Sequence, residues 1–135
     1  MQRLQFLIVW DKIWLIKLQN PAELVRKAAF LEKNMNILKI QEIIRIGDYQ
    51  VSFHSEKERY AEDISIRDIE TAILNGEIIE NYPYDIRGQS CLILGYSKGR
   101  AIHIVCGLTS EQSLRIITVY LPKSPKWSDD RTRRK

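Results

Sequence analysis

SCLILGYSKGRAIHIVC, residues 90–106, decides the fold. Two β-favouring runs, Ser90 to Tyr96 and Ala101 to Cys106, flank Ser97-Lys98-Gly99-Arg100. A short polar linker with a glycine between such runs is a hairpin signal. Working outward, Ile78 to Tyr82 reads as the strand before the hairpin, with a turn over Pro83 to Gln89. Arg115 to Leu121 reads as the strand after it. Residues 78–121 therefore predict an antiparallel meander.

Upstream of Gly76 the period is helical. Ile37, Leu38, Ile40 and Ile44 form a stripe that begins near Met35 and stops at Gly47. Tyr49 to Phe53 alternates like a short strand, and His54 to Glu62 is polar with helical charge spacing. Ser65 is a good N-cap for a helix whose apolar face is Ile66, Ile69, Ala72 and Ile73, ending at Gly76. Helices first and a meander afterward predict an α+β domain with the helices on one face of an antiparallel sheet. The domain reads as residues 35–122, between an extension at 1–34 and a basic flexible tail at 123–135. In the extension, Leu4 to Leu18 has the composition of a strand pair around Asp11-Lys12. Pro21 then opens a helical stretch, with Asn20 as N-cap and Leu24, Ala28 and Leu31 at helical spacing.

A length of 135 residues suits one domain, and 44% apolar residues suffice for one core. A charged fraction of 28% argues against wholesale disorder. No apolar run reaches the roughly 18 residues of a membrane span. The nearest, Leu4 to Leu18, is broken by Asp11, Lys12 and Lys17 and lacks a small-residue cleavage site, so a cytoplasmic protein is expected. Cys91 and Cys106 lie in strand-like runs and read as buried free thiols rather than a disulfide. With no Cys-x-x-Cys pair and two distant histidines, no metal site or cofactor is expected. No phosphate-loop glycines, serine elbow or carboxylate pair stands out.

The formal charge of +4 sits in the flanks. Residues 1–34 carry six basic and three acidic side chains, residues 35–121 nine and twelve, and residues 122–135 six and two. A basic end either holds phosphates by counterion release or serves as a solvated terminus. Arg87, Lys98, Arg100 and Arg115 are basic residues on or beside the sheet, which read as a solvated face.

Strand parity nominates further residues. His103 and Val105 share one face of their strand, and Ile102, Ile104 and Cys106 the other. In the last strand Ile117, Val119 and Leu121 share one face, and Ile116, Thr118 and Tyr120 the other. Pairing across a loop centred near Ser110 sets His103 opposite Thr118, with Tyr120 a diagonal neighbour. An imidazole, a phenol and a hydroxyl on one face can do acid–base work. The alternative is a satisfied, partly buried histidine on the helix-packing face. His54 and Arg59 fall about 140° apart on a helix beginning near His54. They either cap and pack, or supply a titratable group and a fixed cation for phosphate.

The order of these elements resembles a bacterial family, the domain of unknown function 4258. The shared elements are His54, Arg59, Gly76, Ile78 to Pro83, Leu94 to Tyr96, His103, Thr118 to Pro122 and Trp127. Together they span about two-thirds of the chain. The resemblance implies kinship with RelE-type toxins, and so a toxin of a toxin–antitoxin pair acting as a metal-independent ribonuclease or translation inhibitor. The alternative is a non-catalytic binding or adaptor module of the same fold. Family-like spacing and strand parity together nominate a catalytic set of His54, Arg59, His103 and Tyr120 on one concave patch, with Arg87, Arg100, Arg115, Lys126 and Arg131 as candidate RNA contacts. The implied partners are an antitoxin, often of zinc-finger type, and RNA or the ribosome. Residues 1–34 lie outside it and read as an over-extended start or as a real extension.

Overall fold

The computed structural model describes residues 34–134 and, upstream, Ala22 alone. The strand pair read at Leu4 to Leu18 and the helical stretch read through Leu24, Ala28 and Leu31 lie outside the described residues.

Asn36 opens the helix that follows it by accepting the Leu38 N–H at 2.9 Å. Helix α1, Ile37–Ile46, ends at Gly47, whose φ of 78° is the left-handed cap that glycine accepts without strain. Its buried arc is Ile40, Gln41, Ile43 and Ile44. Leu38, read as part of the stripe, lies outside that arc and is exposed. The Gln41 amide is satisfied by the Ile73 and Leu74 carbonyls. Strand β1, Tyr49–Val51, leads into helix α2, Phe53–Ala61, capped by Ser52. Helix α3, Ile66–Leu74, starts with a reciprocal capping box between Ser65 and Asp68. Strands β2 (Glu77–Tyr82), β3 (Ser90–Ser97), β4 (Arg100–Leu108) and β5 (Leu114–Tyr120) follow.

The fold is α+β: three helices and a five-stranded sheet among the described residues, in the order β1-β5-β4-β3-β2. Strands β2 to β5 form the expected antiparallel meander. The sheet as a whole is mixed, because β1 pairs parallel to β5, Tyr49 with Leu114 and Val51 with Ile116. Three residues are too few for strand periodicity to reveal their partner.

Beyond β1 the β5 edge has no further strand among the described residues. Helix α2 covers it with side chains instead. Ser52 Oγ donates to the Ile117 carbonyl at 3.0 Å, and Ser55 Oγ to the Ile116 carbonyl at 3.2 Å. Glu58 Oε1 accepts the Val119 N–H at 3.1 Å. Three polar residues at three-residue spacing thus satisfy backbone groups that an open edge would leave unpaired.

Ile69, Ala72 and Ile73 of α3 and Ile40, Ile43 and Ile44 of α1 share one core with alternate residues of the sheet. Those are Cys91 and Ile93, then Ile102, Ile104 and Cys106, then Leu114, Ile116 and Val119. The parity expected for Ile102 and Ile104 holds, and both are fully buried. That expected for β5 fails in its first half. The β4–β5 register shifts at a bulge between Val105 and Cys106, so Ile116 enters the core and Ile117 does not. The bulge inserts one residue and inverts the alternation on either side of it. His103 stands opposite Tyr120 itself, not Thr118, which pairs with Val105: the turn is centred at Glu111 instead of Ser110, and the bulge adds a second shift in the same direction.

Cys91 and Cys106 face each other across β3 and β4 as free thiols, Sγ to Sγ 3.9 Å. The contact with Cys91, together with burial, pushes the Cys106 thiol well above its ordinary pKa, which favours the protonated form.

Residues 123–134, read as a flexible tail, turn back over the sheet face that carries His103. Trp127 bridges to Arg133 and is 3% exposed. Arg133 pairs with Glu80 at 2.8 Å, and Arg131 with Glu77. An apolar indole and two carboxylates on β2 give this segment a place that its charge does not suggest.

Candidate functional site

His103 is fully buried. Its ring packs edge-on to Trp127 with centroids 4.4 Å apart, and to Tyr120 at 5.2 Å. Nε2 lies 2.6 Å from the Asp130 carbonyl, and Nδ1 3.2 Å from the Tyr120 hydroxyl. A carbonyl only accepts, so Nε2 carries the proton and Nδ1 accepts from the phenol. His103 therefore lies on the face away from the α3 core, under the C-terminal segment, with both nitrogens used. Burial lowers its pKa below the ordinary 6.5, partly offset by the Asp130 carbonyl and carboxylate. Tyr120 is raised, first by burial. The nearby Trp127 indole opposes that rise, although its N–H finds no acceptor of proper hydrogen-bond geometry.

This pocket sets a pH dependence. The folded state binds the His103 proton less readily than the unfolded chain, so the stabilisation is complete above about pH 6.5 and is lost as pH falls through the folded pKa. Of the groups facing it, Asp130 and Glu80 favour the imidazolium and Arg133 opposes it, and burial beneath Trp127 and beside Tyr120 outweighs the two acids. The denaturation midpoint is expected to drop between pH 7.5 and pH 5, and His103→Gln to flatten that drop. An equal drop in the variant would assign it to other groups. Asp68 does not contribute there. Hydrogen bonds from the Ser65 backbone and the Ser97 hydroxyl hold its pKa at about 2.

His54 presents the opposite environment. It stands in the first turn of α2 with its side chain 69% exposed. Its Nε2 lies 3.3 Å from Glu58 Oε1, the atom that the Val119 N–H fixes. A carboxylate there favours the proton on Nε2 and leaves the Nδ1 lone pair free. His54 and Thr118 line two neighbouring concavities. One, of about 490 Å³, is bordered by Ser52, Arg87, Thr109 and Arg115. The other holds Tyr120, Lys123, Lys126 and Trp127. Arg87 is paired with Asp85, whereas Arg115 has no partner among the described residues. Lys126 lies 5.8 Å from the centre of the Tyr120 ring.

The structure thus brings together His54, Tyr120, Arg87, Arg115 and Lys126, and joins His103 to Tyr120 from beneath. Arg59 turns the other way. It meets Glu56 at 2.8 Å and the Ile64 carbonyl, and lines a third hollow with Lys98 and Arg100. Its position on the helix, well round from His54, accounts for the separation. Arg100 is held by the Glu62 and Asp63 carbonyls, and Arg131 by Glu77. The four residues expected on one patch therefore do not converge. Ser52, Ser55 and Glu58 were missed as positioning groups, although their three-residue spacing on a short helix was a readable signal.

Among the described residues, no group of three His, Cys, Asp or Glu side chains is placed to hold a metal ion. No helix among them is long and apolar enough to cross a membrane. No curated protein and no solved structure matches the chain. A family model does match, over residues 51–121, from β1 through the His54 helix to the strand that carries Tyr120. The match covers more than half of the sequence, and the chain belongs to the family described as domain of unknown function (DUF4258).

Proposed function

We propose that this protein is a metal-independent ribonuclease of RelE-like toxin type, acting at the cleft around His54 and restrained in the cell by a partner protein. The observation that carries the reading is the His54–Glu58 pair on the wall shared by two cation-lined concavities. An imidazole with one nitrogen directed to a fixed carboxylate and the other free is arranged as a general base. His54 Nδ1 takes the ribose 2′-hydroxyl proton. The freed oxygen attacks the adjacent phosphorus, the bond from phosphorus to the 5′-oxygen breaks, and that oxygen takes a proton from water. The products are a 2′,3′-cyclic phosphate and a 5′-hydroxyl. Arg115, without a partner among the described residues, and Arg87 and Lys126 offset the charge on the phosphorane. His103 lies out of a substrate's reach, so in this reading it positions Tyr120 and the C-terminal segment.

A second reading, a binding module without chemistry, draws on the sealing of His103, one of the four residues expected in the reaction. Both readings need the cationic cleft. Arg115→Ala is expected to weaken binding of a labelled RNA about tenfold and to lower the slope of log affinity against log salt by about one. Unchanged affinity and slope would remove the cleft from RNA binding.

A further inference from the structure

The exposed crest of α2 carries Phe53, Lys57 and Tyr60, at the i, i+4 and i+7 positions of one helical stripe. The buried residue of this helix, Ser55, lies on the opposite side. Phe53 is 76% exposed and Tyr60 73%, two aromatic rings about 10 Å apart along the axis. Each has a cation over it: Lys57 Nζ lies 4.8 Å from the Phe53 centroid, and the Arg59 guanidinium 4.4 Å from that of Tyr60. Lys57 pairs with no acid among the described residues.

The crest joins two hollows. At the N-terminal end His54, next to Phe53, opens onto the Arg115 cleft. At the C-terminal end Tyr60 lines the hollow of Lys98 and Arg100. There Arg100 is spent on backbone carbonyls, and Asp68 is buried under its own hydrogen bonds. Lys98 is 74% exposed, with only a 3.8 Å approach to Asp68, and keeps its reach.

We infer that this crest is a platform for single-stranded RNA, whose bases stack on Phe53 and Tyr60 while its backbone runs from the His54 cleft towards Lys98. The inference rests on the proposed RNA chemistry at His54 and names the strandedness of the substrate. Arg59 is spent on Glu56 and its side chain is 14% exposed, so the crest offers two exposed aromatics with Lys57 between them. That set suits an unpaired strand, because each base offers a ring face and each linkage a phosphate. A duplex hides those faces in its own stack, and a convex helix crest does not follow its grooves. Lys57 within the stripe, and continuity with the Arg115 cleft, favour a polyanion over an apolar protein surface.

The test is fluorescence anisotropy of the full chain with a labelled 2′-O-methyl RNA, which lacks the hydroxyl needed for cleavage. Phe53→Ala with Tyr60→Ala is expected to bind about tenfold or more weakly, Phe53→Trp with Tyr60→Trp to bind like the parent, and a duplex of equal length to bind about tenfold or more weakly than the single strand. All substitutions are at exposed positions, so the melting temperatures serve as the folding control. If the parent binds and cleaves RNA but the alanine pair binds equally well, the platform is wrong and the ribonuclease reading stands. If the parent binds no RNA, both fall. Loss of a protein partner with RNA affinity intact would assign the crest to that partner and overturn the inference.

Discussion

Gly95→Ala is expected to cost at least about 4 kcal/mol, in the range reserved for severe lesions. Gly95 lies on the core side of β3, where Ala72 of α3 rests directly on it. A Cβ built at Gly95 would fall 1.8 Å from the Ala72 carbonyl oxygen and 2.4 Å from its carbon. Both are backbone atoms of a packed helix, so no side-chain rotation relieves the clash. Either α3 lifts from the sheet, opening the core at Ile69 and Ile73, or β3 bends away and loses pairing with β2 and β4. For a domain of this size the loss corresponds to a fall of roughly 15 °C or more in melting temperature. Gly99→Ala is the control: nothing lies within 4 Å of its Cβ, and its φ of 75° carries only the left-handed penalty of about 1–2 kcal/mol. Similar losses in the two variants would refute the close packing of α3 on β3.

This contact shows where sequence reading succeeds and where it stops. The meander was legible because β2 to β5 are strand-length, β-favouring runs bounded by turn residues, and Ser97 to Arg100 mark the hairpin. The start of α3 was legible because Ser65 caps it locally. The match of Gly95 to Ala72 was not, since a missing side chain leaves no periodic signal and its partner is 23 positions away in the chain. The parallel pairing of β1 is equally non-local. The β5 bulge defeated a parity argument that was sound for its second half: Val119 and Tyr120 point as expected, and Ile116 and Ile117 are exchanged.

The candidate site divides along the same line. His54 on a helix start and Tyr120 on a strand were placed by local pattern, and both border the cleft. A satisfied, partly buried His103 was one of the sequence alternatives, but on the helix-packing face. Its cover on the opposite face was not legible, because it depends on residues 127–130 folding back over the sheet. The basic composition of that segment suggested solvent, while Trp127 supplied the apolar anchor and Glu77 and Glu80 the counter-charges. Arg59 was separated from His54 by its angle on the helix, which the spacing already contained.

The second large effect concerns His54. Removing a positioned general base typically slows a reaction 10²- to 10⁴-fold. His54→Ala is therefore expected to cut RNA cleavage about a hundredfold or more at unchanged melting temperature, since the exposed imidazole contributes no buried contact. Glu58→Gln is expected to do less. The amide oxygen still accepts the Val119 N–H, while the charge that favours one His54 tautomer is lost. The most direct measurement follows a 5′-labelled single-stranded RNA incubated with purified protein and excess EDTA, resolving the products by end chemistry. The account predicts cleavage by the parent to 2′,3′-cyclic phosphate and 5′-hydroxyl ends, loss of cleavage in His54→Ala, and persistence in a folded His103→Gln. Absence of cleavage by the parent, or full cleavage by His54→Ala, would contradict it.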